Sequence, residues 1–93
     1  MATVRKSQFK KIARVQTGAR MEKNLVKVLK ALAEYLDLSL GDLLEGVVLH
    51  AFDGKTPFTA QTRGHIARLK SVYGLTLTAE DSHRLTEEND ARR

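Results

Sequence analysis

The sequence has no cysteine and no tryptophan, a single proline, and an aromatic content of 5%. Without cysteine, a chain of 93 residues cannot use disulfides, which are a usual means of stabilising so small a core. The absence of cysteine also fits a reducing compartment, so we expect a cytoplasmic protein. No apolar run approaches the length of a membrane span, and the first residues lack the apolar stretch of a signal peptide. We therefore expect no membrane association.

The sequence does have positive charge, and it is concentrated at one end. Residues 1–30 carry nine basic side chains and one acidic, residues 31–58 one and five, and residues 59–93 six and five. Segregated positive charge indicates a polyanionic partner, with a basic segment that only improves solubility as the open alternative. We interpret residues 1–10 as a flexible basic arm whose lysines attract phosphate.

Residues 11–21 alternate in polarity. Arg14, Gln16, Gly18 and Arg20 fall on one side, and small or apolar residues occupy the odd positions between them. A period of two predicts a short, half-buried β-strand.

Helical spacing replaces this alternation after Glu22. A first amphipathic helix runs to Leu36, and Ser39 is predicted to be the N-cap of a second, which Asp53 and Gly54 end. Because a lone strand and two wide apolar faces need partners, we expect a homodimer in which each strand pairs with its symmetry mate. The predicted dimer core consists of Leu25, Leu29, Leu32, Leu36, Leu43, Leu44, Val47 and Val48.

The remainder of the chain, residues 54–86, is predicted to be a helical extension, followed by a charged tail over 87–93. Its main helix spans Thr59 to Tyr73 and stops at Gly74, and a short helix follows Thr78. Two roles stay open for residues 59–86. They either cover the flank of the dimer or form a surface for another protein or for neighbouring dimers on DNA.

The order of strand, helix, tight turn and helix over residues 11–53 resembles the ribbon-helix-helix family of bacterial and phage repressors, to which the Arc and Met repressors belong. The resemblance is carried by the switch from strand to helix at Met21, by the helix Leu25 to Leu36, and by the stretch Leu38 to Glu45. It implies a mainly α fold with one short N-terminal strand that pairs across a homodimer. Two core helices and a C-terminal helical extension complete that fold.

The resemblance also implies a sequence-specific DNA-binding protein, a repressor-type transcriptional regulator that reads the major groove of double-stranded DNA with an intersubunit β-ribbon. Antitoxin autoregulation and binding to a plasmid partition site are both settings in which the family acts, on the cytoplasmic nucleoid. The implied base contacts are Arg14, Gln16, Gly18 and Arg20, although Gly18 has no side chain to offer. The expected phosphate contacts are Lys10, Lys11, Ser39, Leu40 and Gly41.

A competing interpretation is a homodimeric protein-interaction module on the same scaffold without DNA binding, which Gly18 and Asp42 favour. The histidines His50, His65 and His83 lack the spacing of metal ligands, and no residue pattern indicates a nucleophile or a cofactor. We therefore expect no enzyme activity, no metal and no cofactor.

Overall fold

The fold of residues 9–88 is described by a computed structural model of the chain. The predicted basic arm and charged tail fall mostly outside this range. Within it, the regular elements are helices: α1 (Lys23–Leu36), α2 (Leu40–Phe52), α3 (Ala60–Tyr73) and a short 3₁₀-helix (Ala79–Asp81). None of the helices in residues 9–88 is both long enough and apolar enough to cross a membrane.

The predicted N-terminal strand is wrong, because residues 9–22 form no regular secondary structure and no strand occurs anywhere in residues 9–88. Alternating polarity places polar and apolar side chains on opposite faces of an extended chain, but a strand also needs a neighbouring strand with which to exchange backbone hydrogen bonds. Gly18 and Ala19 add little β-propensity of their own. The ribbon-helix-helix fold with a strand pairing across a homodimer is therefore corrected to an irregular segment followed by helices. The mainly α content is consistent with the expectation.

Helix α1 begins with an unusual cap. Glu22 is the N-cap, and its Oε1 accepts a hydrogen bond of 2.7 Å from the backbone N–H of Leu25. The helix ends where Asp37 takes the left-handed conformation with φ 61°, and the N–H of Leu38 then donates to the carbonyl of Ala33. Asp is among the few residues other than glycine that enter this region readily, which explains how the turn forms without glycine.

Helix α2 follows after a two-residue turn, as the sequence predicts. The hydroxyl of Ser39 accepts a hydrogen bond of 3.1 Å from the N–H of Asp42, which confirms Ser39 as the N-cap. Past Phe52 the chain turns through Asp53 and Gly54, and Gly54 has a φ of 69° that favours glycine.

Helix α3 also lies where the sequence predicts it. The hydroxyl of Thr59 caps it at the N–H of Thr62, and Gly74 ends it with a φ of 67°. The short helix predicted after Thr78 is reduced to the 3₁₀-helix, in which the Asp81 carboxylate accepts a hydrogen bond of 2.8 Å from the N–H of Thr78.

The core lies where α1 packs against both α2 and α3. Leu32 and Leu43 are its most buried leucines, with 2% and 3% of their surface exposed, and Ala33 lies between them. The half-buried side chains packed around them are Leu29, Leu36, Val47, Phe58, Ile66 and Leu69. Two residues predicted to form a dimer core, Leu32 and Leu43, are thus buried within one chain. Val48 is exposed, and the other five are half-buried: Leu25, Leu29, Leu36, Leu44 and Val47.

Candidate functional site

Residues 9–21, which we call the basic segment, are exposed at every position. They include four cationic side chains, Lys10, Lys11, Arg14 and Arg20, and no acidic one. Because the segment forms no regular structure, its backbone N–H and carbonyl groups are not committed to a helix or a sheet. The backbone of the segment and the side chains of its two lysines are therefore open to a partner.

The cationic surface continues onto α1. Lys23, Lys27 and Lys30 are exposed and lie on one side of the helix, since residues three and four apart are neighbours on a helix surface. The buried residues Val28 and Leu32 face the opposite way, into the core. The positive charge of the basic segment therefore runs on without interruption, apart from the capping Glu22, along the outer side of the helix that follows.

Arg14 contacts α2. Its Nε and Nη2 donate to the two carboxylate oxygens of Glu45 at 2.9 and 2.8 Å, and Nη2 also donates to Asp42 at 3.1 Å. Such two-point arginine–carboxylate pairs are the strong form of the interaction. The hydrogen bond from Arg14 holds the pKa of Glu45 below its usual value, and the same bond raises the pKa of Arg14. Arg14 is therefore paired rather than free for a base.

Arg20 has an acidic partner as well. Its Nε donates to Glu87 at 3.3 Å, and its Nη2 contacts the other carboxylate oxygen of the same residue. Glu87 lies near the C-terminal end of the described range, so this pair joins the two ends of the described chain. Both side chains are exposed.

The Arg14 contact places residues 12–17 beside α2 and creates a groove of about 760 Å³. Most of its exposed lining is apolar. The residues around it are Ile12, Ala13, Arg14, Val15, Thr17, Ser39, Gly41, Asp42, Leu44, Glu45, Val48 and Leu49. Since odd and even positions of the segment both line the groove, the two faces expected from alternation are not kept apart.

The predicted site residues fall into two groups. Arg14, Ser39 and Gly41 come together at the groove. The other predicted contacts lie outside its lining; Leu40 is half-buried, and the exposed ones are Lys10, Lys11, Gln16, Gly18 and Arg20. The N-terminus of α2 is a poor phosphate site in this arrangement. The Ser39 hydroxyl already accepts a hydrogen bond from the N-terminal turn of the helix. The carboxylate of Asp42 lies in the same turn and would repel a phosphate.

Sequence reasoning missed the exposed apolar residues beside the groove. Val15, Leu49 and Phe52 are 86%, 63% and 81% exposed, and Ile12 is also exposed. A signal was present, because the second half of α2 is apolar almost all the way round and a helix of this kind cannot bury every side within one small chain.

Two of the histidines have structural partners. The ring of His65 stacks on Tyr35 with centroids 3.6 Å apart, which joins α3 to α1. His50 donates from Nδ1 to the carbonyl of Gly46, one turn earlier in α2, at 2.7 Å.

Comparison with protein-family models, with curated proteins and with solved structures finds no match to this chain.

Proposed function

We propose that this protein binds double-stranded DNA and acts as a sequence-specific regulator on the nucleoid in the cytoplasm. The observation that supports this most directly is the basic segment, which is exposed throughout, carries four cations and contains no acidic residue. It leads directly into the exposed lysines of α1. A continuous cationic surface of this kind matches the regularly spaced phosphates of a duplex.

The lysines supply affinity without sequence preference. Lys10 and Lys11 come before residues 12–17 in the chain, and the exposed lysines of α1 come after them, so cations flank this stretch at both ends in sequence. Each phosphate that a lysine neutralises releases condensed counterions, which makes the binding dependent on salt. These contacts fix the position of the protein on the duplex, and sequence must be read by other groups.

Base reading is assigned to Gln16 and Arg20, because two carboxylates, Glu45 and Asp42, hold Arg14, whereas a single carboxylate faces Arg20. Glutamine pairs with two atoms of adenine, and arginine with two atoms of guanine, on the edges that face the major groove. The major groove of DNA admits an α-helix or a two-stranded ribbon, so a single irregular segment, which is narrower than either, can enter it as well. Gly18 lies between the two residues, and no atom lies within 4 Å of the position that a Cβ would take there, so its backbone is open to close approach.

The protein is proposed to act as a homodimer through the groove and the outer side of α2. Val15, Leu49 and Phe52 remain exposed in the single chain, which is costly for side chains of this size. A second copy that covers them in a two-fold arrangement buries the same surface on both chains and doubles the cationic surface presented to DNA. This interface uses helix and loop side chains and requires no strand pairing.

The test is a salt titration of duplex binding by the purified protein. The slope of log K against log salt is expected to be about −0.9 for each phosphate contact, which gives roughly −4.5 per chain if the five lysines of the cationic surface all engage. Lys11→Ala should lower this slope by about 0.9 per chain. The matched control is Lys55→Ala. Lys55 is exposed in the turn after α2 and belongs to neither the basic segment nor α1, so its substitution removes the same charge from outside the cationic surface.

Two results would overturn the proposal. One is the absence of duplex binding by micromolar protein at low salt. The other is an equal effect of Lys11→Ala and Lys55→Ala, which would mean that net charge, rather than this surface, attracts the duplex. Selection of bound sequences from a random duplex pool then identifies the operator.

A second candidate function is a homodimeric protein-interaction module without DNA binding. The apolar groove favours it, because Ile12, Val15 and Leu49 are exposed there. It predicts a stable dimer in sedimentation with no duplex binding at any salt concentration, so the same titration separates the two functions.

A further inference from the structure

Within the described residues, the ion pairs all involve arginines of the basic segment. Three arginine–carboxylate contacts occur within residues 9–88, and each of them involves Arg14 or Arg20 of the basic segment. The lysines of the segment and of α1 form none in the same part of the chain. The carboxylates come from distant positions, Asp42 and Glu45 in α2 and Glu87 beyond the last helix.

These pairs occupy the same donor atoms that DNA would use. Arginine presents its Nε and Nη donors as a fixed fork, which fits a carboxylate, a phosphate or the edge of guanine in the same two-point manner. Glu87 faces Nε and Nη2 of Arg20, and Glu45 faces the corresponding atoms of Arg14. Each arginine can therefore bind either its carboxylate or the duplex through this fork, but not both at once.

We propose that these carboxylates are intramolecular competitors of DNA, so that the chain partly inhibits its own DNA binding. Glu87 competes for Arg20, and Glu45 together with Asp42 competes for Arg14. This inference rests on the proposed DNA binding and concerns its regulation. The lysines attract the duplex first, and the arginines join it only when they leave their carboxylates.

The competition is weak enough to be reversible. All the side chains in these pairs are exposed, so water and salt screen the attraction and the pairs exchange readily. Exposed pairs of this kind shift an equilibrium by about 1.5- to 5-fold. Release of Arg20 should therefore raise duplex affinity by a factor in that range per chain, and any ligand that captures Glu87 should do the same.

The test compares Glu87→Gln with Glu88→Gln in the full chain, measuring duplex affinity at one low salt concentration. Both substitutions remove one negative charge from adjacent exposed positions, but in the described structure Glu87 contacts Arg20. Glu87→Gln is expected to bind DNA about 1.5- to 5-fold more tightly than Glu88→Gln. Glu45→Gln is compared in the same way with Glu80→Gln, because Glu80 is exposed in the 3₁₀-helix and lies outside both the basic segment and α1.

A second measurement identifies the route. In an Arg20→Ala background, Glu87→Gln and Glu88→Gln should have equal affinities, because the arginine that Glu87 would release is missing. If the wild type binds DNA and Glu87→Gln equals Glu88→Gln, the competition is refuted while the proposed function stands. If neither the wild type nor Glu87→Gln binds any duplex, the proposed function fails and the competition fails with it.

Discussion

Truncation of Leu43 tests whether one chain holds its own core. Leu43 is 3% exposed and packs with Leu32 and Ala33. Leu43→Ala therefore removes a buried side chain and leaves a cavity, which costs about 2–5 kcal/mol in comparable cores. A domain of this size has a free energy of unfolding of roughly 0.05–0.15 kcal/mol per residue. The substitution should thus remove a large part of the total stability.

The assay is urea unfolding followed by circular dichroism, with thermal melting beside it. We expect the midpoint temperature to fall by roughly 10–40 °C, since each kcal/mol lowers it by about 4–8 °C in a small domain. The urea slope should stay unchanged if the native fold is retained.

Leu49→Ala is the matched control, because Leu49 lies on the same helix but is 63% exposed. At low protein concentration its effect should stay within about 0.5 kcal/mol. At high concentration, where the proposed homodimer forms, Leu49→Ala should lose the rise in stability that the wild type gains by association.

A well-packed core within one chain is refuted if Leu43→Ala costs less than about 1 kcal/mol with an unchanged urea slope, since truncation of a buried leucine in such a core costs more. Wild-type stability that does not depend on concentration would refute the dimer alone.

The remaining predictions concern caps and charge. Gly74 and Asp37 both have a positive φ, which glycine adopts more easily than other residues. Gly74→Ala should therefore destabilise the protein by about 1 kcal/mol, a cost of the backbone conformation alone because no atom crowds the added Cβ. Asp37→Gly should stabilise the protein by several tenths of a kcal/mol, and chemical denaturation measures both changes. Ser39→Ala should cost about 0.5–2 kcal/mol in the same assay, since it removes the cap of α2, and a loss below 0.3 kcal/mol would contradict that role. The pKa of Glu45 is lowered in the folded chain by its hydrogen bond from Arg14, so the stabilisation from this pair is present above the unfolded pKa and is lost as pH falls through the folded value. A carboxyl titration by NMR should show a low Glu45 midpoint that returns to its usual value in Arg14→Gln.

The three helices could be predicted from the sequence because their signals are local. Apolar spacing, the Ser39 cap and the Gly74 stop each act within a few residues, and each is where the sequence places it. Glu22 was not predicted to be the N-cap of α1, because glutamate is not among the usual N-cap residues.

The strand could not be predicted in the same way. Alternation over residues 11–21 describes side chains, whereas a strand depends on a partner elsewhere, and the described chain offers none. The pairing of Arg14 with Glu45 was equally out of reach, since 31 positions separate the two residues and neither has a distinctive neighbourhood in sequence.

The sequence separation of the packed helices has a consequence for the order of folding. Helix α1 packs against α2, which follows it after a short turn, and against α3, which lies beyond α2 in the chain. Helical domains whose contacts are mostly local fold within microseconds to milliseconds. The basic segment contacts α2 only through side chains that must wait for that helix to exist. We therefore expect the helices to form first and the Arg14 contact last. In temperature-jump experiments, the signal from the core should relax before the signal from the groove.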